Sequence, residues 1–310
     1  MNTRQEVLDE TGLFIPPPDT PRWFVDNLRQ PGESRYATVR DSAAAAESQV
    51  HFLAWNWHDE SLPVLIFLHG FSGHANWWSY LVPFFTDRYR VAALDLPGMG
   101  DSSHLAAYDD DCFARGIIAV LRHNNIERAT VIGHSFGGAQ ATRAMAMAPE
   151  LFEHGIIVDT MVRFDTDTPP KLIDGRNRHR VRASRAECVE GFRLMPPQPA
   201  VIQPLVDFVA FHSCTPTTDG WHWKFDPAIR NHGEIVGTTL PSRVQTRVDC
   251  VYGELSMFSA NDMPRRVLES FPNHGELIVV PGAHHHLMLD HPLELVAALD
   301  HLLSGARASG

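Results

Sequence analysis

ATVIGHSFGGAQATRAMAMAPE, residues 129–150, decides how the rest of the chain is read. An apolar, β-branched run, ATVI, leads into Gly133-His134-Ser135-Phe136-Gly137, and an alanine-rich segment of helical character follows. A serine at the apex of so tight a strand-to-helix turn is forced into a strained backbone conformation. Glycines two residues to either side remove the Cβ atoms that would collide there. The hydroxyl then projects clear of the sheet, at the positive end of a helix that favours developing negative charge. A bare GxSxG arises by chance in about one 300-residue chain in ten, so it is this strand-and-helix context that marks Ser135 as a nucleophile.

Outward from the turn, short apolar runs alternate with longer helical patterns, which is the mark of βαβ units and a mostly parallel sheet. PVLIFLHG (63–70), RVAALDLPG (90–98), GIIVDT (155–160), VDCVYG (248–253) and ELIVVPG (276–282) read as further strands. Each is almost continuously apolar, as strands covered on both faces must be. RYATVR and VHFLAW predict an antiparallel edge hairpin around Ala43 to Ala46. A serine hydroxyl is a poor nucleophile without a base to take its proton. PGAHHHLMLDHP, after the strand ELIVV, offers His284, His285 and His286.

The glycine-flanked serine followed by a separate histidine motif resembles the α/β-hydrolase superfamily, over roughly residues 50–160 and 245–305. The resemblance implies an α/β-hydrolase fold: a mostly parallel central sheet flanked by helices, with an inserted helical cap. Members place their histidine seven residues before a proline that opens the last helix, and counting back from Pro292 selects His285. The family's oxyanion hole implies backbone N–H donors at Phe136, after the nucleophile, and at Phe71, after His69-Gly70. DLPGMGDSS (95–103) looks like the loop after the family's fourth strand. Branches with an aspartate at the elbow, the haloalkane dehalogenases and epoxide hydrolases, are set aside because Ser135 stands there.

The third member of the triad departs from the pattern. Most relatives carry an aspartate shortly after the seventh strand in a GxxD context, whereas this chain reads Gly253-Glu254-Leu255-Ser256. Some branches carry the acid at the end of the sixth strand, where GIIVDTMV places Asp159. Asp159 is therefore the favoured acid and Glu254 the alternative, with Asp262 and Asp290 also open.

Almost ninety residues of different texture, rich in Arg, Pro, His and Trp, separate the strand ending at Thr160 from the one starting near Val248. A compact domain does not tolerate a structureless loop of that length, so residues 163–240 are expected to form a largely helical cap. Residues 34–162 and 241–310 form the core domain, and residues 1–33 an extension. In that extension Thr20-Pro21 predicts the start of a short helix packed on the outside. Trp77, Trp78, Trp221 and Trp223, with Phe192, Phe208 and Phe211, are candidates for the wall of an apolar substrate pocket. Arg176, Arg178, Arg180, Arg182 and Arg185 form a cationic run, read as a solvated helix face or as a contact for an acidic substrate.

Composition narrows the partners. A formal charge of -11 offers no general attraction for nucleic acid or anionic membranes, and a small-molecule substrate fits better. No run reaches the roughly 18 apolar residues of a membrane span and the N-terminus lacks a secretory pattern, so the chain is expected to be cytoplasmic, as a monomer or homodimer. Four widely spaced cysteines, Cys112, Cys188, Cys214 and Cys250, imply neither a zinc site nor a disulfide framework. Neither a phosphate-binding glycine loop nor a spaced ligand set is evident, so no nucleotide or metal is expected. The expectation is a hydrolase of a small or medium hydrophobic ester, lactone or related acyl substrate through an acyl-serine intermediate. A slow or non-enzymatic ligand receptor on the same fold is the alternative.

Overall fold

The structure, a computed structural model, describes residues 13–41, 46–164, 181–199, 201–229, 235–236 and 239–308. Its strands are β1 (Glu33–Asp41), β2 (Ala46–Trp55), β3 (Val64–Leu68), β4 (Arg90–Leu94), β5 (Ala129–His134), β6 (Phe152–Val158), β7 (Val162–Arg163), β8 (Cys214–Thr217), β9 (Gly220–Trp223), β10 (Ile235–Val236), β11 (Arg247–Gly253) and β12 (His274–Val280). The helices are α1 (Arg22–Leu28), α2 (Cys112–His123), α3 (Phe136–Met147), α4 (Arg185–Gly191), α5 (Gln203–His212), α6 (Met263–Glu269), α7 (Leu287–Asp290) and α8 (Pro292–Ala308).

Eight strands form one sheet in the order β1-β2-β4-β3-β5-β6-β11-β12. β1 pairs with β2, and β2 with β4, antiparallel; from β4 to β12 every pairing is parallel. The apolar runs become the inner strands because both faces are covered: every residue of β3 and β5 is buried. One core packs α2 and α3 against one face, through Ile117, Leu121, Ala141 and Met145. The other packs α8 and the Trp78–Phe85 region against the opposite face. The expected α/β-hydrolase architecture is therefore present, and each strand read from the sequence appears within a few residues of its expected limits.

Two expectations are corrected. Thr20 does not cap the first helix: Pro21 occupies the cap position without a side-chain bond, and the Thr20 hydroxyl is buried without a partner among the described residues. Nor is α1 an outer attachment. Phe24 is fully buried between Tyr80 and Phe208, ring centroids 5.2 and 5.5 Å away, so the extension joins the core to the inserted segment. Where a largely helical cap is expected, the described part of residues 163–240 holds α4 and α5 together with a β8–β9 hairpin. α5 is buried over most of its length, and its Leu205, Val206 and Val209 belong to the same core as Leu287–Leu289.

Candidate active site

The loops at the C-terminal ends of β3, β5, β6, β11 and β12 converge, and it is there that open α/β sheets bind ligands. At the end of β5 the chain turns directly into α3 at Ser135, which has φ +52°. A Cβ at Gly133 would lie 2.5 Å from the Gly137 carbonyl oxygen, and one at Gly137 would lie 2.5 Å from that of His69. The flanking glycines thus answer to collisions across the turn. Ser135 donates its N–H to the Val158 carbonyl at 2.8 Å, while its own carbonyl accepts from Thr160 Oγ1 at 3.0 Å. The backbone is pinned from both sides and the hydroxyl is not consumed in capping α3.

His285 is 3% exposed, and its Nδ1 donates to Asp159 Oδ1 at 2.8 Å. Asp159 directly follows β6, has φ +45° and is fully buried. Its Oδ1 also accepts from Ser256 Oγ at 2.5 Å, and its Oδ2 from the Gly253 N–H at 2.8 Å. With Nδ1 protonated, the neutral His285 ring leaves Nε2 as its only lone-pair nitrogen. Among the described residues no hydrogen bond joins the Ser135 hydroxyl to His285; such contacts commonly tighten only once substrate is bound.

The other acid candidates go elsewhere. Glu254 Oε2 accepts from the Gly282 N–H at 2.8 Å and closes the β12 turn from outside. Asp262 is exposed beside Arg265, and Asp290 takes both Nδ1 and the N–H of His284. Ser256 was legible as a departure from the GxxD pattern, but its bond to Asp159 was missed. The carboxylate that meets His285 stands at the end of β6, and a hydroxyl donor to it stands where the GxxD pattern carries its aspartate.

The three consecutive histidines turn in three directions: His284 to Asp290, His285 to Asp159, and His286 Nδ1 to Gln198 Oε1 at 2.8 Å. Burial, with His285 adjacent, holds His286 well below the ordinary imidazole range. Gln198 belongs to the inserted segment, so that segment grips the histidine loop directly.

The candidate oxyanion donors lie on two neighbouring turns. Phe136 opens α3, where first-turn N–H groups have no acceptor within the helix. Phe71 follows β3 in a turn held by Gly73 N–H to Gly70 O at 3.0 Å and by His69, whose Nε2 accepts the Leu96 N–H at 3.0 Å. Burial lowers the His69 pKa and keeps that acceptor neutral. The Phe71 ring meets those of Phe136 and Phe225 at 5.3 and 5.2 Å.

The aromatic candidates divide. Trp78 is a correction: it is fully buried against Phe67, centroids 5.0 Å apart, in the core beneath the site. Adjacent residues of a 3₁₀ turn diverge by a third of a revolution, so Trp77 faces the other way, 5.4 Å from His286. Phe208 and Phe211 pack on Phe14 and likewise belong to the interior. Trp221 and Trp223 lie on one face of β9. The Arg185 guanidinium sits 4.6 Å from the Trp221 ring and that of Arg182 5.9 Å from Trp223, which accounts for two members of the cationic run. Arg176, Arg178 and Arg180 fall outside the described residues. Trp223 reaches Phe192 at 6.1 Å and Phe192 reaches Trp77 at 6.5 Å, so one aromatic line runs from the hairpin to the histidine loop.

Residues 65–299 match the model of the alpha/beta hydrolase family. A provisionally named esterase/lipase of Haemophilus influenzae is 25% identical over 243 residues, 78% of this chain and 83% of that protein. The dihydrolipoyllysine-residue acetyltransferase component of an acetoin cleaving system of Pseudomonas putida is 39% identical over 87 residues, 28% of this chain but only 24% of that protein. Among solved structures, E-2-(acetamidomethylene)succinate hydrolase superposes with a TM-score of 0.71 at 18% identity, covering 88% of this chain and all of that one. No helix among the described residues is long and apolar enough to cross a membrane.

Proposed function

Because this chain belongs to the alpha/beta hydrolase family, we propose that it is a serine hydrolase of small or medium hydrophobic esters, lactones or related acyl compounds. The observation that carries this reading is the 2.8 Å bond from His285 Nδ1 to Asp159, beside a serine held at φ +52°. The esterase/lipase naming of the Haemophilus influenzae relative agrees with it. Ser135 Oγ attacks the acyl carbonyl while His285 Nε2 takes its proton. Asp159 stabilises the imidazolium, and the Phe71 and Phe136 N–H groups receive the oxyanion. Collapse of the tetrahedral intermediate expels the alcohol, which leaves with the proton from His285. Water, deprotonated by the same nitrogen, then releases the acid and restores the serine. The reactive groups belong to the proposed core domain, residues 34–162 and 241–310, while the apolar contacts come from the inserted segment and from Trp77 of the core. The aromatic line from Trp77 through Phe192 to Trp223 shapes the substrate's apolar part.

A panel of aryl esters of graded acyl length, with lactones, tests this. Turnover that depends on acyl length, without added metal or nucleotide, is expected. Saturable binding of panel members with no hydrolysis of any of them would replace the enzyme by a receptor on the same fold.

A further inference from the structure

His134, the residue before the nucleophile, takes no part in the chemistry just described, and its surroundings are unusual. It is 1% exposed, and its Nε2 lies 2.9 Å from the backbone carbonyl oxygen of His285. A carbonyl only accepts, so Nε2 carries the proton and the neutral ring leaves Nδ1 bare. Nδ1 is buried with no hydrogen-bond partner among the described residues. The ring packs on both neighbouring imidazoles, centroids 4.7 Å from His285 and 5.8 Å from His286.

We infer that His134 is a positioning residue: through its Nε2–H it holds the His285 backbone at a fixed distance from Ser135, to which His134 is covalently joined. Asp159 orients the His285 ring, and the loop that carries it is gripped from the next residue by Gln198, which accepts the His286 N–H at 2.9 Å. Asp159 ties the ring to Ser135 through Val158 and Thr160 on either side of it, but neither contact refers the backbone of that loop directly to the nucleophile. The His134 bond does, since one side chain and one hydrogen bond separate the serine's own strand from the base's main chain. The ring must stay neutral to do this without opposing the reaction. A charged His134 would stand 4.7 Å from an imidazole that itself becomes positive during attack. Burial first, and then the adjacent His285 and His286, hold the His134 pKa well below the ordinary range.

The inference rests on the serine-hydrolase reading, and the test separates the two. His134→Leu removes the donor, whereas His134→Gln retains an N–H near the Nε2 position. With an aryl ester, His134→Leu is expected to lower kcat by roughly 10- to 100-fold with KM within about threefold, because misplacement of about 1 Å between reacting groups costs that much. His134→Gln should recover most of the loss. Equal kcat in wild type and His134→Leu, equal losses in both variants, or a loss confined to KM would overturn the positioning role while leaving the hydrolase intact. A wild type that turns over nothing would instead sink the hydrolase reading, and this inference with it. Nitrogen-15 histidine NMR on the unaltered protein gives a readout independent of turnover. His134 should remain a neutral Nε2–H tautomer from pH 8 to pH 5, and an Nδ1–H tautomer or protonation near pH 6.5 would overturn the assignment.

Discussion

Two buried histidine–aspartate pairs lie at opposite ends of β6, the second completed by His285 from the loop after β12, and only that one sits beside the strained turn at Ser135. At the N-terminal end His154 Nε2 meets Asp249 Oδ2 at 2.6 Å; at the C-terminal end His285 Nδ1 meets Asp159 Oδ1 at 2.8 Å. Both aspartates are fully buried and both pairs are well formed. The difference lies in the backbone and the neighbours. His154 and Asp249 lie within their strands without positive φ, Asp249 where the β11–β12 register shifts, and Asp249 also receives Arg247 and the Glu276 N–H, so its lone pairs are taken by fixed donors. Burial pushes the Asp249 carboxyl up, but His154, Arg247 and that N–H outweigh it and leave it below the usual range. At the other end Asp159 and Ser135 both have positive φ, a cost that persists only where the surroundings enforce it and that concentrates at functional sites. A histidine–carboxylate bond by itself is a fastening between strands. The strained serine beside one of them turns it into a candidate base.

Exchanging the two aspartates for asparagine should produce the largest contrast. Asp159→Asn keeps the shape but, with one acceptor oxygen in place of two, keeps only one of the bonds donated by Ser256 and the Gly253 N–H, and it loses the tautomer control and the charge, so kcat should fall by about 10²–10⁴. Asp249→Asn should leave kcat within about twofold and lower stability by about 1–3 kcal/mol, since it removes the charged acceptor to which His154, Arg247 and the Glu276 N–H are hydrogen-bonded. Kinetics and urea melts on both variants suffice, and a loss of kcat in Asp249→Asn alone would reverse the assignment of the two ends.

Acid titration of stability sharpens the comparison at an intermediate scale. Burial chiefly brings His74 down to about 3 and holds His134 and His286 well below their ordinary values, whereas the unfolded chain takes up these protons near pH 6.5. Between pH 6.5 and pH 3 the unfolded state therefore binds more protons, and stability should fall steadily on acidification through that window. Asp95 adds to the loss further down. Burial raises its carboxyl, but His51, His69 and the Asp101 N–H together bring it to about 2, so its contribution disappears as pH drops from about 4 towards that value. Urea midpoints that stay level from pH 7 to pH 4 would show that these histidines titrate freely.

What could be read in advance follows from how local the signal is. Ser135 and the strands were legible because a glycine-flanked turn and a doubly covered strand impose composition on consecutive residues. His285 was selected from its neighbours by spacing to Pro292. Asp159 was reached by substitution of one strand end for another, but Ser256 as its donor was not, because that contact spans 97 residues. Trp77 and Trp78 look alike in sequence and differ only in which way a 3₁₀ turn faces them. The β8–β9 hairpin turns at Thr218-Asp219, between the paired Thr217 and Gly220, and was passed over because its two central residues are not the Asn-Gly or Asp-Gly loop that marks such hairpins in a sequence.

A smaller effect is expected where a carboxylate lies near the site without touching it. Glu254→Gln should change kcat by less than about tenfold, since Glu254 acts only through the general field while its side chain holds the Gly282 N–H. Turnover lost as completely as in Asp159→Asn would make Glu254 the supporting acid.

Stoichiometric labelling with a fluorophosphonate, read by intact mass and peptide mapping, tests most directly that one end of the sheet alone is reactive. The wild type should take up one phosphonyl group per chain, on Ser135. Asp249→Asn should label at the same rate, and Asp159→Asn more slowly by orders of magnitude. An adduct on another residue, no adduct at all, or equal rates in the two aspartate variants would contradict the account.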